Sequence, residues 1–266
     1  MTAQRGIGAI AVVIPARDEE VLLPAALESV GVAAEHAGIG SVRVLTVVVA
    51  DCCTDATAAV SRAAGALVVP VRYRNVGRAR AAGVRAALST LSNTTGGVWI
   101  ASTDADSMVR PDWLAHQAAR AAEGWDAVVG TVTVDHWPPD MTDLAEHHRH
   151  LYEMSRPPAG RPWHHPHVHG ANLGVGSRAY AAAGGFPAAP LHEDRLLVAA
   201  LQTAGARILR TADSPVTTSA RRTPRAQGGF GDHLIDLNRT RLTTSGHEAW
   251  RLHRECGPHL PEDIVH

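Results

Sequence analysis

Continuous apolar runs rich in β-branched residues alternate with alanine-rich stretches of helical spacing through the first hundred residues, and this alternation leaves few folds open. The runs AIAVVIP (9–15), VLTVVVA (44–50), ALVVPV (66–71) and VWIAS (98–102) are nearly continuous apolar stretches without charge, as strands covered on both faces are. Between them, EEVLLPAALESVGVAAEHA and TDATAAVSRAAG have helical spacing and composition. The order strand, helix, strand, helix predicts an α/β fold with a mostly parallel, doubly wound sheet flanked by helices. A chain of 266 residues can bury a substantial core, and a single domain is expected over 1–266.

In such sheets ligands bind beyond the carboxyl ends of the strands. The first strand ends in PARDEE, the second in DCCTDAT and the fourth in TDADS, so acidic and turn-forming residues collect along one predicted edge. Thr54 or Asp55 reads as a helix N-cap. Asp51 precedes both and is left to reach a ligand. Asp104 and Asp106, one residue apart after a buried strand, suit a hard divalent cation. Magnesium and manganese prefer oxygen ligands and need only one or two carboxylates when a diphosphate supplies the rest.

Composition excludes several classes. A formal charge of −1 gives no electrostatic case for nucleic acid or an acidic membrane surface. All 25 basic residues are arginine, which removes a P-loop lysine and any Schiff base. No Gly-x-Gly-x-x-Gly follows the first strand, against a dinucleotide-binding dehydrogenase. Cys52, Cys53 and Cys256 make no disulfide framework and fit a reducing compartment. No apolar run approaches the ~20 residues of a membrane span, so a cytoplasmic protein is expected.

The second half predicts a helix at WLAHQAARAAEG, a strand at DAVVGTVTVDHW (126–137) and an exposed helix at LAEHHRHLYEM. His164, His165, His167 and His169 invite a zinc reading. Against it, adjacent imidazoles separated by proline rarely converge on one ion, and no cysteine lies near. Asp194, in HED, either stabilises the dipole of the following helix or serves as a base. Residues 217–234 read as a mobile lid or as a solvated basic loop. Arg221, Arg222 and Arg225 suit phosphate oxygens, and Pro224 with Gly228 and Gly229 interrupts any helix.

The segments VVIPARDEE, VVVADCCTDAT, NVGRARAAG, ASTDADSMV, HGANLGVGSRAYAAAGGF and LHEDRLLVAAL, in this order, resemble the family 2 glycosyltransferases of GT-A fold. The resemblance covers about residues 10–235. It implies a hexosyltransferase that moves a sugar from a nucleoside-diphosphate donor, UDP- or GDP-linked, to a hydroxyl of a small or lipid-linked acceptor. It places Pro15, Ala16, Arg17 and Glu19 along the nucleoside and Asp51 at the base, with Asn75, Gly77 and Arg80 as a second nucleotide-contacting segment. Asp104, followed by Ala105, faces the ribose, and Asp106, with Asp104, holds Mn2+ or Mg2+; apart from the resemblance, His233 in the expected lid would complete that metal shell when the lid closes. Gly170 and Asn172 contact the donor sugar; it is the reading of 217–234 as a lid that brings Arg221 and Arg222 to the diphosphate. In inverting members the aspartate of the Glu-Asp pair is the base, here Asp194, while Glu193, also counted in the catalytic pair, stabilises the dipole of the following helix or contacts the acceptor or donor sugar. Residues 9–110 become the nucleotide-binding half, 111–235 the acceptor-binding and catalytic half, and 236–266 a C-terminal helical tail. The alternatives are a catalytically inactive sugar-nucleotide-binding module and a nucleotidyltransferase, though the latter usually opens with a glycine-rich loop and a lysine.

Overall fold

The computed structural model describes residues 6–220 apart from 136, 138–140, 159–160 and 162. The four early strands form where the apolar runs lie: β1 (Ile7–Ala16), β2 (Arg43–Asp51), β3 (Leu67–Val71) and β4 (Gly97–Ser102). All four are parallel, with β1 between β2 and β4 and β3 outside β2. Ala9 through Ile14 are fully buried because β1 is covered on both sides. Ala9, Ala11 and Val13 face one cluster with α3 (Val76–Thr90) and α7 (Glu193–Thr203). Ile10, Val12 and Ile14 face the other, with α1 (Leu23–Ala34) and α4 (Trp113–Ala122). Alternation of side chains across the pleat thus builds two cores from one apolar run.

The helices are shorter than their sequence patterns. The first begins at Leu23, with proline in its opening turn where the missing N–H costs nothing, and RDEEVL (17–22) is loop. The second, α2 (Thr57–Ala63), has Ala56 at the N-cap position; Thr54 bonds Asp18 instead, while Asp55 Oδ1 still accepts from the N–H of Thr57, the first helical residue, at 2.9 Å.

Three further strands extend the sheet. β7 (Leu173–Gly176) lies antiparallel between β4 and β6 (Ala127–Asp135), and β8 (Ile208–Ser219) runs parallel to β6. The two-residue strand β5 (Ser107–Met108) pairs antiparallel with the end of β8. The order is β3-β2-β1-β4-β7-β6-β8-β5. Gly174 sits where a side chain would collide with the Gln117 amide and the Trp99 indole. Those two groups hydrogen-bond to each other at 2.7 Å beneath it.

Thr217, Thr218 and Ser219 carry ladder pairs to Met108, Ser107 and Asp135. The first three residues of the expected lid therefore belong to the sheet, because the Thr218 hydroxyl also bonds Ser107 at 2.9 Å. Ala220 is buried just beyond β8, and the segment from 221 on, with Arg221, Arg222, Arg225 and His233, and the expected tail at 236–266, lie outside the described residues. Among the described residues there are also the helices α5 (Thr142–Glu153) and α6 (Ser177–Ala182) and short 3-10 turns at Ala37–Ile39 and Gly170–Asn172. Among the described residues no helix is long and apolar enough to cross a membrane.

Candidate active site

The loops after β1 and β2 are fastened to each other. Asp18 Oδ1 accepts from the Thr54 N–H at 2.7 Å, Asp55 Oδ2 from the Glu20 N–H at 3.0 Å, and Glu20 Oε2 from the Ala56 N–H at 2.8 Å. The Thr57 hydroxyl accepts from the Glu19 N–H at 2.7 Å. Asp18 and Cys52 adopt left-handed backbone conformations to make the two turns meet. Asp18, Cys53 and Asp55 each offer a ligand atom within 4.8 Å of the others. Burial raises the Cys53 thiol pKa, with Asp55 and Asp18 adding to it, and the aspartates already accept these N–H groups. Loop fastening accounts for the cluster. Pro15 and Arg17 are half-buried beside it, and Ala16 and Glu19 are buried.

Asp51 holds a turn. Its carboxylate is 5% exposed and accepts from the backbone N–H groups of Tyr73 at 2.6 Å, Arg74 at 3.0 Å and Asn75 at 3.1 Å. It thereby fixes the turn between β3 and α3, where Arg74 is left-handed. Asn75 caps α3 by accepting from the Arg78 N–H at 2.8 Å, and its amide donates to the Ala189 carbonyl at 2.9 Å.

The centre of the edge is Arg80. Its guanidinium is 3% exposed and pairs with two carboxylates, Asp104 at the end of β4 and Glu193 at the start of α7. Burial pulls its pKa down, but Asp104, Glu193 and Asp194 together raise it, so the charge is held. Burial raises the Glu193 pKa and Arg80 opposes that rise. Gly170 lies so close that a β-carbon there would be 2.5 Å from the guanidinium carbon. At Gly77 a β-carbon would meet the Pro187 carbonyl and the Glu193 side chain. Both glycines thus provide room for the ion pair. Asp194 follows Glu193 and accepts from the Gly170 N–H at 2.8 Å. His192, left-handed at the N-cap of α7, turns the chain so that both acids face inward.

Asp104 and Asp106 are half-exposed on either side of buried Ala105. Asp104 keeps one oxygen on Arg80, while Asp106 stands beside the Ser107 hydroxyl. This is an oxygen donor set at an open strand end, which fits a hard cation. Asn172 is not at the surface. Its amide bonds the Thr131 carbonyl at 2.8 Å, the Ser214 carbonyl at 2.9 Å and the Trp113 indole N–H at 2.9 Å, which uses both N–H groups and the oxygen to join β6, β8 and α4.

The sequence reading left the histidine stretch without a role. His165 is fully buried with Nε2 3.1 Å from both the Val129 and Thr211 carbonyl oxygens. His167 stacks on Tyr152 at 3.8 Å, and Tyr152 reaches His169, the residue before Gly170. Burial pushes the Tyr152 hydroxyl up to about 12. This aromatic ladder packs the 163–169 loop onto α5, and alternate spacing of His165, His167 and His169 was its signal in the sequence.

The sequence model of glycosyl transferase family 2 matches residues 11–181, well over half of the chain. The chain belongs to glycosyl transferase family 2. No curated protein matches it. Among solved structures it is similar to the mannosyltransferase PcManGT from Pyrobaculum calidifontis in complex with GDP-Man and Mn2+, with 20% identity, 81% of this chain and 58% of that one covered, and a TM-score of 0.59. It is similar to S. aureus TarS 1-349, with 17% identity, 79% and 60% covered, and a TM-score of 0.54. It is also similar to glucosyl-3-phosphoglycerate synthase from Mycobacterium tuberculosis in complex with Mn2+, UDP-glucose and phosphoglyceric acid, with 19% identity, 92% and 82% covered, and a TM-score of 0.50. At these identities the likeness establishes the GT-A fold. The chain spans about three fifths of the length of the first two structures.

Proposed function

We propose that the chain is a metal-dependent glycosyltransferase that moves a sugar from a UDP- or GDP-linked donor to a hydroxyl of a small or lipid-linked acceptor, with inversion. The observation that carries this reading is the convergence of Asp104, Glu193 and Asp194 around Arg80, with Asp106 two residues beyond Asp104 at the same strand end. An inactive binding module would have no need of the acid pair at the start of α7.

Asp106, with the free side of Asp104, would hold the divalent cation. Mn2+ or Mg2+ there would stabilise the negative charge that develops on the departing diphosphate. Asp194 is the base that takes the acceptor proton, and its carboxylate is oriented by the Gly170 N–H at 2.8 Å. The fastened loops after β1 and β2 form the floor along which the nucleoside would lie, with Pro15 and Arg17 half-open to it. Neighbouring structures that contain GDP-Man with Mn2+, and UDP-glucose with Mn2+, support the donor class.

The test is calorimetry of UDP and GDP with and without Mn2+. One nucleotide binds tightly only with the metal, and Asp106→Ala removes the metal dependence. Equal affinity with and without Mn2+ in the parent chain would refute the assignment.

A further inference from the structure

We propose that Arg80 is a positioning residue that ties the donor-side carboxylate of Asp104 to the acceptor-side turn of Glu193 and Asp194, without itself touching the nucleotide. The inference rests on the glycosyltransferase reading above and departs from the resemblance, which puts Arg80 among the nucleotide contacts. At 3% exposure the side chain has no free face for a ligand. Its terminal nitrogens go to Asp104 and Glu193, the Gly170 backbone presses on the guanidinium, and the Phe186 ring lies 5.8 Å from its central carbon.

Four segments meet there. α3 supplies Arg80, β4 ends in Asp104, α7 begins with Glu193, and the turn before β7 supplies Gly170. That same Gly170 donates to Asp194, so the contacts close a ring: Asp104 to Arg80, Arg80 to Glu193, Glu193 through the chain to Asp194, and Asp194 to Gly170. The Arg80 Nε is buried without a hydrogen-bond partner. With Nε unpaired, the two carboxylates on the terminal nitrogens are what orient the guanidinium. A planar fork can serve two carboxylates at once, and a lysine ammonium cannot hold the same geometry. Reactive groups must be held to within a fraction of an ångström for transfer, and this tie sets the distance between the half-sites.

The test uses the full chain with UDP and GDP as probes in Mn2+, and the matching nucleotide sugar as donor with water as acceptor, read as nucleoside diphosphate release. The variants are Arg80→Lys, Glu193→Gln, and the neutral pair Arg80→Gln with Glu193→Gln, which leaves no lone buried charge between these two positions. Nucleotide Kd and donor KM stay within about threefold of the parent, while kcat falls at least about tenfold in Arg80→Lys. The neutral pair loses about as much turnover as the worse single variant, because the two residues act as one unit. A Kd weakened about tenfold or more in a folded variant places Arg80 on the donor and overturns the proposal. Unchanged kcat, or losses that simply multiply, overturns it as well. A parent chain that binds neither nucleotide overturns the donor reading and this inference with it.

Discussion

His165 combines a fully buried ring, two backbone carbonyls 3.1 Å from Nε2 and a buried Nδ1 without a hydrogen-bond partner. Only the neutral tautomer with hydrogen on Nε2 suits it. Burial lowers its pKa, nearby His167 and Arg210 lower it further, and the Thr211 and Val129 carbonyls oppose the shift. The unfolded chain takes up this proton near the ordinary 6.5, before the folded chain does. Stability is therefore complete above that value and falls as pH drops through it toward the folded pKa. Urea midpoints at about pH 8 and pH 5.5 should show this loss. His165→Gln, which keeps one donor, should be less stable at the higher pH by about 1–2 kcal/mol and should lose less on acidification. Parallel acid losses in parent and variant would assign the effect to other groups, such as His116, whose pKa burial also lowers. At Asp194 the expected effect is catalytic. Asp194→Asn preserves shape and removes the proton acceptor, so turnover should drop by roughly two to four decades with nucleotide Kd unchanged. Near-parental turnover would mean that the base lies elsewhere or that configuration is retained.

Among the elements, the turn joining β3 to α3 depends on one side chain. Asp51 takes three backbone N–H groups, from Tyr73, Arg74 and Asn75, and holds Arg74 left-handed. An asparagine would present an N–H where at least one of these donors points. Asp51→Asn should cost about 1–3 kcal/mol in urea unfolding, and amide exchange at Tyr73 to Asn75 should quicken more than within α3. Uniform protection loss across both segments would indicate global destabilisation instead. The strand calls for explanation in the opposite sense. β1 to β4 were readable because strands buried on both faces are apolar throughout, whereas β8 was not. Its register shifts opposite Gly130–Val132, and the intervening TADSP carries aspartate, serine and proline, which read as loop. The capping expectation for Thr54 failed for a related reason, since its N–H and hydroxyl face Asp18, 36 residues earlier.

For the whole molecule, a ligand that binds only the folded state should raise its melting temperature. Nucleoside diphosphate with Mn2+ at about a hundred times Kd should add about 2.7 kcal/mol, or several degrees for a chain of this size. Asp106→Ala should abolish the shift without lowering the unliganded midpoint by more than a surface substitution does, since Asp106 is half-exposed. A shift of equal size without Mn2+ would separate nucleotide binding from the metal.

The sequence by itself determined the α/β class, the four parallel strands and the edge on which the acids collect, because burial on two faces and polarity at strand ends are local patterns. It also supplied the order of motifs by which the family was recognised. Only the tertiary structure decided what those residues face. Asp51 turned out to hold a loop, Asn172 to join β6, β8 and α4 from within the core, and Gly77 and Gly170 to make room for an ion pair. Arg80 and Glu193 are 113 residues apart in the chain, and Arg80 and Asp104 are 24 apart. Periodicity and spacing carry no information about which charge a buried guanidinium will meet. That is fixed when the sheet brings three strand and helix ends to one point, where each buried charge must find a partner.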